Sequence, residues 1–80
     1  MQTREELLNE INKILVEENA KAIKEDDLLI SSELDSFGYA VLFITISDRY
    51  NDCCMNEYVN SIDFKTYKAK DLIDRIIQCS

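Results

Sequence analysis

Few residues in this chain have chemistry to offer: it contains no His, no Pro, one Gly and three Cys. Asp35 and Ser36 stand side by side within Glu33-Leu34-Asp35-Ser36-Phe37-Gly38, and no charged residue follows them until Asp48. A carboxylate or hydroxyl directly ahead of an apolar periodic run marks a helix start, because either accepts a hydrogen bond from an orphaned backbone N–H. The spacing therefore predicts that Ser36 is exposed at a helix N-terminus. The positive end of the helix dipole lies behind it, a favourable place to hold a phosphate. No obvious base stands near Ser36 to activate its hydroxyl.

The cysteines offer less. Cys53, Cys54 and Cys79 are odd in number and lack metal-ligand spacing, and no His is present to complete a zinc site. Adjacent cysteines do not readily form an unstrained disulfide with each other. We expect three reduced, partly buried thiols and no metal. Asp26 to Asp35 does not make an EF-hand, because the segment has no Gly for the turn of the calcium loop. The chain offers no acid–base pair in a credible cleft, and we expect no enzyme activity of its own.

Eighty residues, 46% of them hydrophobic, make one small domain (1–80) rich in helix formers and poor in turn residues, so an all-α fold leads. The start, Met1-Gln2-Thr3-Arg4-Glu5-Glu6, is polar and not followed by the apolar core of a signal peptide. The longest uncharged run, Ser36 to Ser47, is too short to cross a bilayer as a helix. A soluble, cytoplasmic monomer is the expectation. The net charge is −7, and residues 1–36 hold ten acids against four bases. That balance disfavours nucleic acid and anionic lipid as partners.

Three periodic segments must position Ser36. Thr3 to Val16 reads as a first helix: Thr3 and Glu6 form a capping box, and Leu7, Leu8, Ile11, Ile14 and Leu15 make one stripe. Glu5, Asn9, Asn12 and Lys13 take the opposite face. From Glu17 to Asp35 a long connection follows. Asn19-Ala20-Lys21-Ala22 either prolong the helix or leave it, and Leu28-Leu29-Ile30 plug one end of the bundle. The second helix runs from Ser36 or Phe37 to about Tyr50, burying Tyr39, Leu42, Phe43, Ile46 and Tyr50. Phe37, Ala40, Val41 and Ile44 form a second apolar strip on another side, beside Ser36, which suits partner docking. Asn51-Asp52 end that helix, and Cys53, Cys54 and Met55 carry the chain back to the core. Asn56 to Ile62 offer a short helix with Tyr58, Val59 and Ile62 inward. Thr66 caps a last helix, Tyr67 to Gln78, with Ala69, Leu72, Ile73, Ile76 and Ile77 as its stripe and Arg75 suited to its C-terminal dipole.

This layout, with Leu34-Asp35-Ser36-Phe37 opening the second of three long helices in an acidic chain, resembles the acyl carrier protein family over essentially its whole length. The resemblance implies a four-helix bundle, three long helices and one short, with a long first loop. It implies a covalent 4′-phosphopantetheine on Ser36, added from coenzyme A by a phosphopantetheinyl transferase with Mg²⁺, and an acyl or aminoacyl cargo held as a thioester. Asp35, Phe37, Val41 and Ile44 would then be the recognition surface for the transferase and for the enzymes that load and unload the arm. Three departures are visible, one of them a third-helix region a residue or two longer than usual. The family usually has a Gly shortly before the Asp-Ser pair, where this chain has Glu33-Leu34. Many fatty-acid carriers place acids along this helix, where Gly38, Val41 and Ser47 stand. The departures point to a specialised biosynthetic carrier rather than housekeeping fatty acid and lipid metabolism. The alternative is an unmodified helical interaction module, or a homodimer, docking through the same strip.

Overall fold

The sequence folds, in a computed structural model, around three long helices, and the structure describes residues 3–50 and 55–79. These are α1 (Arg4–Glu17), α2 (Ser36–Arg49) and α4 (Ala69–Cys79), with a single turn, α3 (Met55–Tyr58), before the last. Short 3₁₀ turns cover Leu29–Ser32 and Val59–Ser61. Among the described residues there is no strand, only one isolated antiparallel bridge between Leu28 and Lys68. The fold class is all-α.

α1 starts as its sequence dictates. Thr3 is the N-cap and exchanges bonds with Glu6 in a full capping box. Leu7, Ile11, Ile14 and Leu15 are buried, and Leu8 packs beside them. At the other end the chain leaves the helix rather than prolonging it. Asn19 takes a left-handed conformation (φ 63°). The Asn19 and Ala20 N–H groups donate to the Val16 and Leu15 carbonyls at 3.1 and 2.8 Å. This is the Schellman closure, and Asn supports it because it tolerates the left-handed region better than most residues.

The connection 18–35 is pinned at both sides. On α1, the Asn12 side chain donates to the Ile23 carbonyl and accepts from the Ile23 N–H, both at 2.9 Å. Asn12 was expected on the solvated face; it is half-buried instead. A primary amide matches the donor–acceptor pair of one backbone residue, and that pairing outweighs hydration. On α4, the Ala69 and Lys70 N–H groups donate to the Asp27 and Glu25 carbonyls, and the Leu29 N–H donates to the Tyr67 carbonyl. These contacts explain why α4 begins at Ala69 rather than Tyr67. The orphan amides of its first turn are satisfied by the connection and by Asp71, whose carboxylate accepts from the Lys68 N–H at 2.9 Å. Thr66 does not cap α4; its hydroxyl donates to the Asp63 carbonyl.

The leucine plug is narrower than expected. Leu29 is fully buried and Leu28 half-buried, while Ile30 is 44% exposed. Ser32 is fully buried as well, its hydroxyl donating to the Leu29 carbonyl at 2.7 Å. Leu42, Phe43 and Ile46 of α2 share one core with Leu72, Ile73 and Ile76 of α4, with Tyr39 and Tyr50 at its edge. Phe64 lies 4.7 Å from Tyr39, centroid to centroid. Tyr50 and Arg49 tie the end of α2 to Glu10 of α1. Ile77, expected in the α4 stripe, is exposed. Arg75 does not serve the last turn of α4; it sits 4.6 Å over the Tyr58 ring, a cation–π contact.

Cys79 is disulfide-bonded, which corrects the expectation of three reduced thiols. Proximity in the fold, not spacing in the sequence, decides pairing. The readings of Asn51, Asp52, Cys53 and Cys54 lie outside the described residues. If Cys79 pairs within the chain, alkylation of the denatured, unreduced protein labels one thiol, and three after reduction. Three before reduction would contradict the bond.

Candidate functional site

The site is built where the connection turns into α2. Glu33 ends the 3₁₀ turn in a left-handed conformation, φ 62° and ψ 28°. That reverses the chain and aims Leu34 inward, where it is buried, and Asp35 outward. A side chain in this region costs an L-residue roughly 1–2 kcal/mol, and glycine far less. Glu33 thus holds the conformation for which glycine is suited. Its carboxylate meets the Lys21 ammonium at 2.7 Å, and this hydrogen-bonded partner lowers the Glu33 pKa and raises that of Lys21. Both groups are well exposed, so the pair is screened and weak. Glu33→Gly should accordingly raise the thermal unfolding midpoint by a few degrees, measured by circular dichroism. A fall would mean that the ion pair outweighs the backbone strain.

Asp35 is the N-cap of α2, its Oδ1 accepting from the Gly38 N–H at 2.7 Å. Its main-chain carbonyl takes the Tyr39 N–H at 3.0 Å, the first bond of the helix. The Ser36 and Phe37 amides have no acceptor among the described residues, as expected for the first positions of a helix. Ser36 is exposed, at the first helical position. Its hydroxyl is therefore open to a visiting enzyme, with two N–H groups and the positive helix end beside it. An anion attached there would be stabilised by about 0.3–1 kcal/mol.

Gly38 is tight rather than roomy. A Cβ at this position would come within 2.3 Å of the Leu34 Cδ1 and 3.1 Å of the Asp35 Oδ1. The missing side chain lets Leu34 fold under the start of α2 while Asp35 reaches the Gly38 amide. The space that a side chain would take is already filled by Leu34.

The residues of the second apolar strip lie largely at the surface of α2. Phe37 is 73% and Ile44 54% exposed, Ala40 is exposed and Val41 half-buried. These positions recur at helical spacing on the side of α2 away from Leu42, Phe43 and Ile46. Asp35, Ser36, Phe37, Val41 and Ile44 are thus brought together on one helix and its cap.

Sequence reasoning missed a second feature. Tyr58, Tyr67, Asp71, Asp74, Arg75 and Gln78 line an open groove of about 360 Å³ along α4. The Tyr58 and Tyr67 hydroxyls lie 2.8 Å apart. Burial, then the bond to Tyr58, pushes the Tyr67 phenol well above its ordinary range. Asp74 is engaged by Arg4, which also pairs with Glu25. No signal in the sequence joins Tyr58 to Tyr67 and Arg75. Among the described residues no group of three or more His, Cys, Asp or Glu could hold a metal ion. No helix among them is long and apolar enough to cross a membrane.

No protein-family model matches the chain, and no curated protein or solved structure matches it.

Proposed function

We propose that the chain is a carrier protein of the acyl carrier type, a four-helix bundle holding an acyl or aminoacyl group as a thioester on 4′-phosphopantetheine linked to Ser36. One observation carries the reading: a hydroxyl exposed at the first position of a long helix, capped by the preceding Asp and flanked by an exposed apolar strip. The carrier needs no catalytic apparatus, since the transferase supplies base and Mg²⁺. Ser36 contributes the oxygen that attacks the pyrophosphate of coenzyme A, forming the phosphodiester and releasing adenosine 3′,5′-bisphosphate. The helix N-terminus then faces the new phosphate. Asp35 serves two ends: one oxygen holds the cap, and the exposed carboxylate is presented to the transferase.

Phe37, Val41 and Ile44 supply the apolar landing surface for the transferase and for the enzymes that load and unload the arm. The cytoplasm and a specialised biosynthetic role complete the proposal. The test is mass spectrometry after incubation with coenzyme A, Mg²⁺ and a broad-specificity phosphopantetheinyl transferase. One phosphopantetheine on the peptide containing Ser36 is expected, and none would remove the proposal. The exposure of Phe37 and Ile44 also favours a second reading, an unmodified module that docks through α2. That reading predicts no mass change.

A further inference from the structure

We infer that the disulfide of Cys79 is a redox-operated clasp: closed, it holds α3 against the last turns of α4, and reduction releases α3. The inference stands apart from the carrier reading and needs nothing at Ser36. Sulfur count is the first observation. The chain has three cysteines, Cys53, Cys54 and Cys79, and Cys79 is bonded. Within one chain its partner is therefore Cys53 or Cys54, and the other of the two remains a thiol directly beside the bond. An odd sulfur next to a disulfide supplies an internal nucleophile, which a fully paired framework lacks.

Position is the second observation. Cys79 is half-buried in the last turn of α4, within reach of a visiting thiolate. One turn earlier, the Arg75 guanidinium lies 4.6 Å over the Tyr58 ring, and the Tyr58 hydroxyl is 2.8 Å from that of Tyr67. Tyr58 closes α3, a few residues after Cys54. The covalent tie and these contacts thus join the same two segments. α3 has little else to hold it. It is four residues long, too short for helix bonding to sustain alone, and no residue at 57–61 is fully buried. Tyr58, Arg75 and Gln78 also line the groove along α4, so the groove keeps its shape only while α3 is held.

Opening takes two electrons from a dithiol. One reductant thiolate attacks a sulfur of the bond, and the other sulfur departs as a thiolate and takes a proton. The reductant's second thiol then attacks its own bonded sulfur, leaving two chain thiols and an oxidised, cyclic reductant. Closing passes the two electrons to a disulfide oxidant such as oxidised glutathione, which leaves as two thiols.

The test is hydrogen–deuterium exchange of the full chain with and without dithiothreitol, alongside Cys79→Ser. Reduction is expected to speed exchange of the amides at 55–61 by about ten-fold or more, while those of α1 keep their rate. Cys79→Ser shows the fast pattern with or without reductant. Maleimide labelling in glutathione buffers follows the bond itself, which should open and re-form reversibly between mainly oxidised and mainly reduced mixtures. A bond that persists in reduced glutathione alone is a permanent staple and overturns the inference. Unchanged exchange at 55–61 on reduction, faster exchange throughout the chain, or a covalent dimer on a non-reducing gel also overturns it. The wild-type chain carries the decisive comparison, so a Cys79→Ser chain that fails to fold leaves the test standing.

Discussion

If Ser36 carries the arm, Ser36→Ala is expected to take up no phosphopantetheine under conditions that load the wild-type chain, and to keep its thermal stability. The two halves of that result have separate causes. On the carrier reading loading would depend on one oxygen, and two nearby hydroxyls are already engaged. Ser32 is buried and bonded to the Leu29 carbonyl, and the Thr45 hydroxyl is turned onto the Val41 carbonyl at 2.7 Å. Stability is unaffected because Ser36 is exposed and Asp35, not Ser36, caps α2. Surface substitutions away from such features stay within about 0.5 kcal/mol. Asp35→Ala behaves in the opposite sense: it loses the cap, costs about 1 kcal/mol, and slows loading without abolishing it. Intact-protein mass spectrometry and thermal melts measure both. A Ser36→Ala chain that still gains the mass would place the attachment elsewhere and sink the site.

Asn12→Ala is the second large effect, and it is one of stability. Its amide makes two bonds to the half-buried backbone of Ile23, and alanine leaves both partners unmet. A buried donor or acceptor without a partner costs about 1–3 kcal/mol, and since both bonds are only part-buried the pair together is worth about 2–4 kcal/mol. In a domain of this size each kcal/mol moves the midpoint by about 4–8 °C, so a fall of about 8 °C or more is expected. Asn9→Ala, one turn earlier and fully on the surface, should shift it hardly at all. Equal melts for the two variants would mean that water replaces the Asn12 bonds at no cost.

The pair also marks where the sequence could be read and where it could not. The three long helices were legible because their apolar spacing repeats, and Thr3, Glu6 and Asp35 are local signals that act on amides a few residues away. Ser36 and its strip were legible for the same reason: a helix position fixes a face. Asn9 and Asn12, however, look alike in a polar stripe, and only the course of the connection distinguishes them. Thr66 misled because a local cap signal lost to backbone partners from residues 25 and 27. Ile30 misled because a run of three apolar residues in a 3₁₀ turn cannot all face one way. The Tyr58–Tyr67 contact and the bonded state of Cys79 depend on which distant segments meet, and local periodicity is blind to that.

The connection between α1 and α2 has a dynamic consequence. Its Ile23 and Leu29 amides are bonded to a helix side chain and to the Tyr67 carbonyl, not to solvent. They should exchange with deuterium on the slow timescale of the helices, although the segment is largely non-helical. A swinging arm on Ser36 would then pivot from a stiff footing, its range set by its own bonds rather than by the backbone beneath it.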